Sequence, residues 1–172
     1  MFQVNDIVIY GHHGVCEITE IGKLKMPMAD QEKLYYTLKP VYHKESAVYA
    51  PVENRKIIMR PVITKEEAEL LIKRIPEIET VWILNEKARE MQFKEALHTC
   101  DCEELIKIIK TLYQRKQQRI ESGKKVTVVD EKYFRQAEDK LYEELAFVLG
   151  MEKRDVSTYI SNYMETVEEP LF

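Results

Sequence analysis

Asp6-Ile-Val-Ile-Tyr-Gly-His-His-Gly-Val-Cys-Glu-Ile-Thr-Glu-Ile21 is the stretch whose reading decides the fold. It opens with a short β-branched run, Asp6 to Tyr10, that closes at Gly11-His-His-Gly14, a turn signal. Val15 to Ile21 then alternates apolar with polar residues, the period of a half-buried strand, and Gly22 ends it. Further strands are expected at Lys33–Lys39 and Ser46–Ala50, bounded by Pro40 and Pro51, and at Lys56–Met59, which stops at Pro61. So many short strands in so few residues predict a small SH3/Tudor-like β-barrel over residues 1–63.

From Thr64 the period lengthens to that of helices. Thr64-Lys-Glu-Glu67 fits a capping box ahead of Ala68, Leu71, Ile72 and Ile75, and Pro76 breaks the run. A second helix is expected from Thr80 to Leu97 on Val81, Leu84, Ala88 and Met91. Asp101-Cys-Glu-Glu104 opens a third through Ile120, with the stripe Leu105, Ile108, Ile109 and Leu112, and Gly123 follows as its cap. The fourth runs from Val129 to Leu149 on Phe134, Ala137, Leu141, Leu145 and Val148, up to Gly150. A fifth, Glu152–Met164, uses Val156, Ile160 and Tyr163, and an acidic tail, residues 165–172, is expected to fray. The fold class is therefore α+β with two domains: a β-barrel over 1–63 and a compact all-helical domain over 64–164.

Composition bounds the function. The 172 residues are 45% hydrophobic, enough for a packed core, and carry 26 Lys+Arg against 30 Asp+Glu for a net charge of −4. No apolar run reaches the ~18 residues a membrane span needs, and Met1–Glu20 holds no signal-peptide core. The three cysteines do not form a disulfide framework. The expectation is a protein of the reducing cytoplasm with no membrane partner. Five glycines spell neither GxGxxG nor a P-loop. His12, His13 and Cys16, and the pair Cys100 and Cys102, are soft ligands without the paired spacing of a structural zinc site. They read as turn histidines and small apolar cysteines, so no metal is assigned. No nucleophile–base pattern or paired carboxylates stand out, and neither catalysis nor a cofactor is expected.

Charge is distributed unevenly. Between Lys107 and Lys125 stand Lys107, Lys110, Arg115, Lys116, Arg119, Lys124 and Lys125 against one acid, Glu121, a local charge of +6. On a helical wheel Lys107 and Lys110 fall opposite the Leu105–Leu112 stripe, with Arg115 and Arg119 flanking it. Such a cluster suits nucleic-acid phosphate, with affinity from counterion release and no sequence choice. The other reading is a solvated helix face with cations favourably near a helix C-terminus. Trp82, the only tryptophan, has two readings as well: packing between helices, or an exposed wedge against a base step.

Phe2-Gln-Val-Asn-Asp-Ile-Val-Ile-Tyr-Gly-His-His-Gly-Val15 resembles the N-terminal signature of the CarD/CdnL transcription regulators, an aromatic followed by a "GD.VVYP.HG" core. Val48-Tyr-Ala-Pro-Val52 resembles the family strand that ends "VP". Trp82 and the helices containing Leu-Tyr-Gln-Arg-Lys and Leu-Tyr-Glu-Glu-Leu-Ala fit its helical domain, so the likeness covers residues 1–150. The first half also resembles the polymerase-binding module of transcription–repair coupling factors. The resemblance implies a bacterial regulator whose barrel docks on the β subunit of RNA polymerase, partly by sheet-edge pairing. Its helical domain would touch promoter DNA at the upstream edge of the melted bubble, with the tryptophan in the minor groove. Polymerase contact then falls to Val48, Tyr49 and Pro51, with Lys23 and Lys25 supplying charge where the family has a cation at the position of Tyr49. Asn5-Asp6 replaces the family's Gly-Asp, and Tyr10-Gly11 its Tyr-Pro. The Arg pair that often follows the tryptophan is absent, with Ile83, Leu84 and Asn85 next in the chain. DNA contact would then rest on Trp82, Lys87, Arg89 and the Lys107–Lys125 cluster. The alternative is a polymerase-docking adaptor whose helical domain binds another protein.

Overall fold

Short β-branched segments separated by turns form a five-stranded antiparallel sheet in the N-terminal unit, Met1–Val62. The computed structural model describes residues 1–44 and 46–168. The strands are β1 (Ile7–Tyr10), β2 (Val15–Gly22), β3 (Tyr35–Pro40), β4 (Val48–Pro51) and β5 (Met59–Pro61), in the order β4-β3-β2-β1-β5. Strand alternation gathers Val8, Tyr10, Cys16, Ile18, Tyr36, Leu38 and Ala50 into one buried cluster. The pattern of β2 is not strict, because the register slips between Ile18 and Glu20. That bulge takes up Thr19 and lets Ile21 rejoin the core side opposite Tyr36.

Two turn positions explain the departures from the family pattern. Asn5 adopts φ +74°, a left-handed conformation that asparagine tolerates in place of glycine. Gly11 opens a single 3-10 turn, Gly11–His13, at φ +47°, which proline's ring forbids. A β-carbon at Gly11 would lie 2.6 Å from Ile57 Cγ2, so this turn also needs the bare backbone. The expected last strand is displaced. Asn54 Oδ1 accepts from Lys56 N at 2.9 Å and holds that region in a turn, so β5 begins at Met59 and includes Pro61. Proline is tolerated there because β5 is an edge strand.

The second unit, from Ile63, is helical: α1 (Lys65–Arg74), α2 (Glu86–Thr99), α3 (Cys102–Glu121), α4 (Val128–Leu149) and α5 (Lys153–Glu168). The Thr64 capping box forms in both directions, with Glu67 N donating to Thr64 Oγ1 at 3.1 Å and Thr64 N to Glu67 Oε2 at 2.7 Å. Asp101 caps α3 through Glu104 N at 3.0 Å. Gly123, at φ +72°, stops α3, and Lys124 N returns to Arg119 O at 2.7 Å. The second helix starts six residues later than its periodicity suggests. Thr80, Val81, Trp82 and Ile83 are β-branched or aromatic and lose rotamer freedom in a helix, whereas Asn85 caps α2 by accepting from Ala88 N at 3.0 Å. The fifth helix is longer than expected and takes in 165–168. The remaining tail residues, 169–172, lie outside the described residues.

Leu105, Ile108 and Leu112 of α3 and Ala137, Leu141 and Leu145 of α4 are buried where the two longest helices pack, and Ile72, Phe93 and Val156 join them from the other three helices. Three buried carboxylates interrupt this apolar interior. Glu144 accepts from Ile63 N at 2.9 Å and from Cys102 Sγ at 3.2 Å, Glu143 accepts from Lys153 Nζ at 3.3 Å, and Asp130 pairs with Arg115. On the same helix Tyr142 donates its hydroxyl to Glu138 Oε1 at 3.2 Å. Burial first, then the charge of Glu138, pushes the Tyr142 hydroxyl up to about 12. A folded-state value above the unfolded one stabilises fully below pH 10 and is lost as pH rises toward 12. The urea midpoint of the helical signal should fall across that window, and Tyr142→Phe should make the fall shallower. An equally steep fall in the Phe variant would remove Tyr142 as its source.

Candidate functional site

Between α1 and α2 the chain makes one 3-10 turn, Ile75–Glu77, and then runs without regular structure to Asn85. Several of its peptide groups are taken by side chains from neighbouring helices. Lys110 Nζ of α3 donates to the carbonyls of Ile75 at 2.8 Å, Pro76 at 3.3 Å and Ile78 at 2.5 Å. One turn of sequence further on, Val81 N donates to Thr111 Oγ1 at 3.0 Å, while Arg89 Nη1 of α2 donates to Ile83 O at 3.1 Å. Trp82 lies between those two anchored residues with 53% of its surface exposed. Leu84 beside it is 98% exposed. The tryptophan is thus presented by a segment tied down on both sides, outside any helix.

These contacts divide the sequence-nominated cations. Lys110 does not stand opposite the apolar stripe. It is partly buried over the end of α1, and that burial pushes its ammonium down from the usual lysine range. Lys107 is also partly buried and pairs with Glu104 at 2.7 Å, a hydrogen bond that holds its ammonium up. Arg89 is only 9% exposed. Arg115 meets Asp130 at 2.5 Å with both side chains largely buried, and Arg119 Nε donates to Lys125 O at 2.7 Å. The wheel fails here because it ranks positions around one helix and is blind to the segment lying over it. The exposed members are Lys87, Lys116, Lys124 and Lys125. Thr111 was not singled out by sequence. The available signal was a hydroxyl three residues after Ile108 on the apolar face, where a buried donor and acceptor need partners.

A cleft of about 360 Å³ opens beside the start of α2. Lys87, Arg89 and Arg115 line it together with Glu86, Glu90 and Asp130, so its charges balance and it carries no anion-attracting field.

In the N-terminal unit, β4 is an edge strand. Its Val48 and Ala50 lie opposite Leu38 and Tyr36, and Val52 N donates to Leu34 O at 2.9 Å. The antiparallel alternation therefore turns the N–H and C=O of Tyr49 outward, away from β3. The Tyr49 side chain is 41% exposed, on the face opposite Ala50, and Pro51 next to it offers no N–H. Lys23 and Lys25 are both exposed in the segment after β2, and Lys23 lies 3.6 Å from Glu32. Edge backbone, an aromatic ring and nearby lysines are thus available on this unit.

The rings of His12 and His13 lie 3.9 Å apart, tilted, within the 3-10 turn, and Cys16, Cys100 and Cys102 are all buried. Among the described residues no three His, Cys, Asp or Glu side chains are grouped to hold a metal ion. Also among the described residues, no helix is long and apolar enough to cross a membrane.

Comparison of the chain with curated proteins finds no match. A family model does match, over residues 2–63, and its description is the CarD-like/TRCF RID domain. The matched stretch coincides with the five-stranded unit and includes Asn5, Gly11 and the β4 edge. The N-terminal unit of this chain therefore carries the likeness to the CarD-like/TRCF family of RNA-polymerase-interacting domains.

Proposed function

We propose that the protein is a non-catalytic transcription regulator that needs no cofactor. Its N-terminal unit, read as a small SH3/Tudor-like barrel, docks on the β subunit of RNA polymerase through the β4 edge. Its helical unit contacts promoter DNA at the upstream edge of the bubble and stabilises the open complex. The observation that carries this reading is the 53% exposed Trp82 in a segment anchored at Val81 and Ile83. An apolar wedge held out from the surface suits a minor-groove base step, and wedges of this kind act on melted or bent DNA. An added contact of ~1.4 kcal/mol changes the ratio of open to closed complexes about tenfold without any chemical step.

Leu84, at 98% exposure, and the charge balance of the adjoining cleft favour a second reading, an adaptor whose helical unit binds a protein. Footprinting of polymerase–promoter complexes separates the two, since an adaptor gives no protection of upstream DNA.

Four variants test the first reading. Trp82→Ala should shorten open-complex lifetime about tenfold, ~1.4 kcal/mol, while polymerase affinity and melting temperature hold. An unchanged lifetime would sink the wedge. Replacing Lys87, Lys116, Lys124 and Lys125 with Gln should flatten the salt dependence of DNA association by up to ~0.9 log unit per lost phosphate contact, with stability retained. Arg115→Gln should behave oppositely, costing about 3 kcal/mol of stability because Asp130 is left buried and unpaired, with the salt slope kept. Finally, Tyr49→Pro removes the outward N–H of the edge strand and should weaken polymerase binding about tenfold while the sheet persists. Full affinity in that variant would move the docking surface elsewhere.

A further inference from the structure

Two of the cations nominated for DNA, Lys110 and Arg89, and one residue not nominated at all, Thr111, converge on the segment that carries Trp82. Lys110 takes the carbonyls of Ile75, Pro76 and Ile78. Thr111, 2% exposed, donates its hydroxyl to Lys107 O at 2.7 Å, which fixes the hydroxyl and leaves its lone pair facing Val81 N. Arg89 reaches back from the first turns of α2 to Ile83 O. The tie points thus fall at 75, 76, 78, 81 and 83, and Trp82 is the residue enclosed by the last pair.

We infer that Thr111 and Arg89, backed by Lys110, are positioning residues that fix the direction in which Trp82 leaves the surface. This rests on the reading of Trp82 as the DNA wedge, and extends it from the wedge to its mount. A bulky ring on a loose segment would lose its conformational freedom only on binding, and that loss would subtract from affinity. Here five peptide groups of the segment are already tied in the free protein. The three side chains need not touch DNA for their removal to weaken binding, and the cationic charge of Arg89 and Lys110 has little part in the effect.

Because Trp82 is the only tryptophan, its fluorescence reports this segment alone. Time-resolved depolarisation of the free, full-length protein is the test. Thr111→Val keeps shape and removes the acceptor, Thr111→Ser restores a hydroxyl, and Arg89→Gln shortens the reach to Ile83. Thr111→Val and Arg89→Gln should each add a fast local motion of Trp82, with Thr111→Ser close to the parent and helical circular dichroism preserved in all three. In promoter complexes the lifetime should fall about fivefold in Thr111→Val and recover in Thr111→Ser, the factor expected for a single lost anchoring bond. Parent-like depolarisation in both Thr111→Val and Arg89→Gln would overturn the inference. Should Thr111→Val lose its helical signal, Arg89→Gln and Lys110→Met read in the same way give the answer. A loosened Trp82 with an unchanged promoter lifetime upholds the mount and removes the DNA role of the ring.

Discussion

A chain segment that leaves helix and strand behind must still hand its peptide groups to partners, and in this protein that requirement falls between Ile75 and Asn85. Water alone does not meet it, because Ile78 is buried and the segment runs beside α3. Lys110, Thr111 and Arg89 meet it instead. Each of those assignments removes a residue from some other role. A lysine that caps three carbonyls is no longer a mobile surface charge, and an arginine bound to Ile83 is no longer an open fork for phosphate. In return the adjoining ring stands out from the surface. The exposed Trp82 and the two cations withdrawn from the surface, Lys110 and Arg89, thus meet on the same segment.

The same trade runs through the charge of the whole chain. A net charge of −4 is ill suited to a nucleic-acid partner, and a +6 window between Lys107 and Lys125 offsets it locally. In the folded helical unit the window is neither wholly available nor wholly spent. Arg115 compensates Asp130 and Lys107 compensates Glu104, while Lys116, Lys124 and Lys125 remain exposed around the end of α3. A surface of this strength attracts phosphate at short range and is screened within a Debye length of ~8 Å at physiological salt. Under the function proposed above, it suits a factor brought to DNA by another protein better than one that searches for DNA alone.

Much of this was legible in the sequence. The capping box at Thr64–Glu67, the Asp101 cap and the stop at Gly123 are local hydrogen-bonding motifs, and local motifs survive into the structure because their partners are a few residues away. The sheet was legible because apolar alternation and turn residues agree over residues 1–63. What failed to show was whatever depends on a distant partner. The bulge at Thr19 is set by pairing with β3, and the non-helical run ahead of α2 is held by a tie point on another helix. A wheel drawn for α3 ranks Lys110 by angle and omits the turn above it. Glu144 reads as one more surface glutamate in Leu-Tyr-Glu-Glu-Leu-Ala, yet it is buried against Ile63 and Cys102. Trp82 thus stands exposed, whereas Lys110, Arg89 and Arg115 among the nominated cations are engaged by other groups of the fold.

The strand order has a kinetic meaning. β4, β3, β2 and β1 are neighbours in sequence as well as in space, so their pairings close by short hairpins and loops. Only β5 breaks that rule, pairing Val8 with Pro61 from opposite ends of the unit. Closing that longest loop carries the largest entropy cost, and contacts of that kind slow folding. During synthesis the first strand to emerge must wait for the last before its second edge is covered. The polymerase-interacting unit becomes complete only when Met59–Pro61 has left the ribosome, just ahead of the Thr64 cap that starts the helices.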